Sequence, residues 1–124
     1  MWQALFWLFL INAVLLINHE IESAYWREWE LFRLPGGISG FLVIHFPLLF
    51  VILYGIVLVF QQSRTGLIIS ALLSAGGIFA FCIHTYFIRK GGQEFTLPIS
   101  RLILFATLLV SLVQGAVTVV LLVE

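Results

Sequence analysis

The chain has 124 residues, 62% of them hydrophobic and 10% charged, and its six basic and six acidic side chains cancel. Soluble domains run nearer half apolar and roughly a quarter charged, so a mean hydropathy of +1.15 excludes an ordinary soluble fold and points to a membrane. Zero net charge removes the electrostatic basis for nucleic-acid binding. The single cysteine, Cys82, excludes both an intrachain disulfide and a cysteine-based zinc site, and its apolar surroundings suit packing as a small hydrophobe.

The first apolar run covers residues 2–18 and holds Asn12. It lacks a basic leader and a small-x-small cleavage site before His19, so it reads as a retained transmembrane helix rather than a signal peptide. Next comes "HEIESAYWREWELFRLPGG", residues 19–37, which carries four of the six acids. Its mixture of Tyr25, Trp26, Trp29 and Phe32 with acids and arginines is that of an interfacial amphipathic segment over about residues 20–34, bent near Ser23. Pro35 and the two glycines after it end the segment.

Three longer runs follow, at residues 38–60, 67–88 and 97–123. About 20 apolar residues cross a hydrocarbon core of roughly 30 Å, so each is a transmembrane helix. "QQSRTG" makes the tight turn between the second and third. Thr96 is the expected N-cap of the fourth, with Pro98 in its first turn. The expected fold is an all-α, four-transmembrane-helix bundle, one domain over residues 1–124, with the interfacial segment between helices 1 and 2.

Alternating helix direction brings all three histidines to one membrane face, here named side B. At about 1.5 Å per residue, His45 and His84 lie roughly 6–10 Å inside the boundary and His19 lies at it. Ionisable groups at such depth face a bundle interior or a wet cavity. His84 shares a helical face with Ala80, Gly77, Ser74 and Ser70, a small-residue stripe that packs helices closely in lipid. Asn12, His19, Glu22 and Trp26 share a face of the first helix if it continues past Asn18. Ser100, Thr107, Ser111, Gln114 and Thr118 form a polar stripe on the last helix. Asn12 and Thr107 fall at similar depth and within reach of one another.

Several chemistries fit this slab. His19, Glu22, His45 and His84 together suit zinc or iron, with His19 and Glu22 doing acid–base or nucleophile-activating work on a lipid-like substrate. Glu20, Trp26, Trp29 and Asn12 would line the pocket or an interface. A b-type haem held by His45 and His84 is an alternative, as is metal-free acid–base catalysis. Tryptophans at headgroup depth also serve as plain membrane anchors, and buried histidines are often only satisfied structural groups. A non-enzymatic role, as an accessory or transporter subunit that forms a homo-oligomer or docks a larger complex in the lipid bilayer, stays open.

"HEIESAYWREWELFRLPGGISGFLVIHFPLL" resembles an uncharacterised family of small bacterial four-helix integral membrane proteins. Their pattern runs His-Glu-Ile-Asp/Glu, paired Trp, Leu-Pro-Gly-Gly, then an intramembrane His before Pro. More distantly it resembles membrane proteins named for an HXXEE motif, although His19-Glu20-Ile21-Glu22-Ser23 has serine in the last position. The resemblance implies a four-helix membrane fold and a bacterial origin, hence a bacterial inner membrane, and draws attention to His19, Glu20, Glu22, Trp26, Trp29 and His45. Side B carries Arg27, Arg33, Arg89, Lys90 and Arg101 against Arg64 on the other face, which places the histidines on the cytoplasmic side.

Overall fold

A computed structural model describes residues 1–124. The chain folds into α1 (Trp2–Tyr25), α2 (Glu28–Leu31), α3 (Gly37–Phe60), α4 (Arg64–Arg89) and α5 (Pro98–Val123), with no strand. All but α2 are 24 to 26 residues long and apolar enough to cross a membrane. At about 1.5 Å per residue each exceeds a hydrocarbon core of roughly 30 Å. The protein is an all-α, four-helix integral membrane bundle.

Helix α1 continues past Asn18 to Tyr25, so the expected bend near Ser23 is absent. Ser23 Oγ instead donates to the His19 carbonyl, 3.0 Å away and within the helix. The chain turns at Arg27, which takes a left-handed φ of 54°. One turn of helix, α2, then lies between α1 and α3. At the head of α5, Leu97 occupies the N-cap position and Pro98 follows it. Thr96 does not cap, because its hydroxyl donates to the Gln93 carbonyl. Ser63 caps α4, accepting from the Gly66 N–H at 3.0 Å. Cys82 is exposed on α4 rather than packed.

The apolar core gathers Leu5, Phe9, Val59 and Leu67, among others, at the end of the bundle away from the histidines, and reaches through Leu16 and Ile52 toward them. Small residues bring the helices together there. A Cβ on Gly66 would meet the Leu58 backbone at 2.7 Å, and one on Gly55 would meet the Phe9 ring at 2.6 Å.

Helices α1, α4 and α5 are joined along their length by polar groups. Asn12 Nδ2 donates to Ser111 Oγ at 3.0 Å and Gln114 Oε1 at 2.8 Å. Gln114 Nε2 reaches Ser70 Oγ at 2.9 Å, and Ser70 and Thr118 share a hydrogen bond of 2.8 Å. Ser74 Oγ donates to the Ser111 carbonyl. Lipid gives no hydrophobic drive for helix association, so close packing and such bonds supply the cohesion. Asn12 and Thr107 do not bond each other, because Asn12 is turned to Ser111 and Gln114, and Thr107 Oγ1 has no partner.

Helix α3 is the least enclosed, with 17% of its apolar span buried against 39% for α4. Its outer face therefore meets lipid. The looser seam between α3 and α4 holds the main cavity.

Candidate functional site

Successive residues of a helix point about 100° apart, and the end of α1 uses this to serve three neighbours. His19 faces α4, where its ring stands edge-on to that of His84 with centroids 4.5 Å apart. Glu20 faces α3 and contacts His45 Nε2 at 2.5 Å. Glu22 faces α5 and accepts from Ser100 Oγ, and also from Trp26 Nε1 at 3.0 Å. The histidines and acids of the polar slab thus divide into distinct groups.

The first group is His19, His84 and Glu28. All three are buried, and each offers a donor atom within 4.8 Å of the others. Glu28 Oε1 stands 3.1 Å from His84 Nε2, while His84 Nδ1 is buried without any hydrogen-bond partner. Burial pushes the Glu28 carboxyl up, but its contact with His84 and the nearby His19 outweigh it, and the group sits below the usual carboxylate range. Phe95 closes this group, its ring centroid 4.1 Å from His84 and 5.3 Å from His19. It does so from a left-handed backbone with φ 62°, uncommon for a bulky residue.

The second group is Glu20 with His45. The Phe41 carbonyl, 2.6 Å from His45 Nδ1, can only accept, so Nδ1 carries a proton and donates it there. One further proton is then shared between His45 Nε2 and Glu20 Oε2. Either way of placing it leaves the pair neutral overall, a carboxyl–imidazole unit able to take or give one proton. Both nitrogens of His45 are engaged, so an axial bond to haem would displace one of these contacts.

Two cavities meet at the acids. The larger, of about 550 Å³, runs between α3 and α4 and is lined by 18 residues, 12 of them hydrophobic. His19, His84, Glu20 and Glu28 form its polar end, and Gly76, Leu72 and Val51 belong to its apolar length. The smaller, of about 200 Å³, lies beyond the same two acids and includes Trp29, Phe41 and His45. Glu20, Glu28, Phe32 and Ile44 line both.

Of the residues singled out in the sequence, His19 and His84 come together, and His45 lines the adjoining cavity with Glu20. Glu22 does not join them, being held by Ser100 and Trp26. Trp29 is buried at the smaller cavity, its ring 5.5 Å from Phe41. Asn12 lies in the α1–α4–α5 seam and lines neither cavity. Glu28 and Phe95 were not anticipated. A signal for Glu28 existed: Glu28 and Glu30 are two apart on one helical turn, so they face opposite ways. Glu30 points outward to pair with Arg27 at 2.8 Å, and Glu28 points in.

The profile of a family of unknown function, DUF6713, matches residues 5–121. The chain belongs to this family. The match takes in all four spans of the DUF6713 fold, both groups of the site and both cavities. No curated protein and no solved structure matches the chain.

Proposed function

We propose that this protein is a metal-dependent membrane enzyme acting on a lipid-like substrate, with His19, Glu28 and His84 as metal ligands. The observation that carries the reading is the convergence of two imidazoles and one carboxylate, all buried, at the polar end of an apolar cavity. Two histidines and a glutamate suit catalytic zinc or iron(II), both of which leave positions open for water or substrate. Tetrahedral bonds of about 2.0–2.1 Å put donors about 3.3 Å apart, so donors spaced up to 4.8 Å must close by up to about 1.5 Å, within the range of side-chain rotation. The unpartnered His84 Nδ1 is a further mark of a site built for something besides packing.

The bound ion would supply Lewis acidity and an activated water. Glu20, which lines both cavities, and His45, which lines the smaller one, would hold the proton that such chemistry moves. Five basic residues on the histidine-bearing face against one on the other favour a cytoplasmic position for this site. The sequence resemblance supports a bacterial inner membrane as the location.

Elemental analysis of protein purified in detergent, without a histidine tag, tests the reading. Near-stoichiometric zinc or iron is expected, falling to background in His84→Ala and Glu28→Gln and unchanged in Glu22→Gln. No metal above background after reconstitution with either ion would overturn it.

A further inference from the structure

The cavity also carries information about what it accepts. Along α4 it extends from Ile69 to His84, about 22 Å at 1.5 Å per residue, and along α3 from Ile44 to Ile52, about 12 Å. Between those limits lie aliphatic and aromatic side chains, with Gly76 partway along. A Cβ built on Gly76 meets nothing within 4 Å. The room at that position belongs to the slot and is not required by a neighbouring helix. At about 550 Å³ the space is in the range of small-molecule sites, roughly 300–1,000 Å³, and is sized for one chain.

The polar end has an unusual charge balance. No lysine or arginine lines either cavity, and all six basic side chains of the protein are exposed. An anionic headgroup would find no counter-charge there. The acids are not free for a cation either, because Glu20 is paired with His45 and Glu28 with His84. A divalent ion in the group would have one charge answered by Glu28 and the other by its activated water, with the Glu20–His45 pair staying neutral. A charged head brought into this pocket stays unmatched, and burying an unmatched charge is costly.

Resting on the reading of this cavity as a substrate site, we propose that its ligand is an uncharged, single-chain amphiphile, a long-chain ester, amide or alcohol, entering sideways from the bilayer. Its tail lies along the slot over Gly76, and its polar head sits between Glu20 and Glu28, beside the histidines. The neutral head can donate to or accept from the carboxylate and imidazole edges without bringing a charge.

The test is native mass spectrometry of the full chain released from detergent, with three probes sharing one tail: monopalmitoylglycerol, palmitate and hexadecylammonium. The expected result is a one-to-one adduct with monopalmitoylglycerol, at least tenfold tighter than with either ionic probe. Gly76→Phe, which fills the slot without touching the ligand set, should weaken that adduct tenfold or more while keeping the metal content of the parent. Gly76→Leu serves if the phenylalanine variant does not fold. Equal binding of an ionic probe, or undiminished binding in the folded slot-filling variant, would overturn the proposal. Metal content is read in the same spectra. Selective, slot-dependent binding by a protein that takes up no metal would leave this inference standing and sink the metal reading. A stoichiometric metal in a protein that binds all three probes alike would do the reverse.

Discussion

The two sides of α4 are built on opposite terms. Toward α5 it is sealed: a Cβ on Gly77 would come within 1.9 Å of Ser111 Oγ, and one on Gly115 within 2.7 Å of Ser74 Oγ. Toward α3 it is close only near the turn, where Gly66 abuts the Leu58 backbone, and it opens toward the histidine-bearing end, where Gly76 looks into empty space. The adjacent glycines therefore have unrelated reasons to be small, one to let helices touch and the other to leave a cavity. Cohesion and cavity lie on different faces of one helix, about 100° apart, and a change to one need not disturb the other.

Substitutions at the sealed face should show the largest effects. Gly77→Leu drives a side chain into Ser111, which also holds Asn12, and should cost about 3 kcal/mol, the upper part of the usual range for overpacking. Reversible unfolding in mixed micelles measures it, and a loss under 1 kcal/mol would show that the seam is looser than the structure has it. Gln114→Leu removes bonds to Asn12 and Ser70 at once. Bonds between membrane helices average about 0.6 kcal/mol and reach about 1.7, so a loss of about 1–2 kcal/mol is expected in the same assay. At the open face, Gly76→Leu should change stability by less than about 0.5 kcal/mol, helped slightly by leucine's better helix propensity. A large loss there would contradict the contrast between the two faces.

Much of this was legible in the sequence. Hydropathy located the four spans, and alternating direction gathered the histidines on one face. The stripe of Ser70, Ser74, Gly77, Ala80 and His84 is buried as its phase implied. What the sequence hid was which acid meets which histidine. His19 and Glu22 are three apart and nominally share a face, but that face is wide enough for one to reach α4 and the other α5. Glu28 reaches His84 only because the chain reverses at Arg27, and a left-handed turn at an arginine has no reliable sequence mark. Phe95 comes from the loop before α5 for the same kind of reason. Long periodic helices announce themselves, whereas short connectors are placed by tertiary contacts.

The separation of seal from slot has a consequence for how proteins of this fold can diverge. Residues lining the slot, such as Gly76, Leu72 and Val51, can exchange bulk for space without loosening the α1–α4–α5 seam. If the slot holds a lipid tail as proposed, a relative with a larger side chain in place of Gly76 would accept a shorter one with the same polar end intact. The depth of the slot is thus open to drift by single substitutions, much as the depth of a keyhole can change while the lock stays in the door.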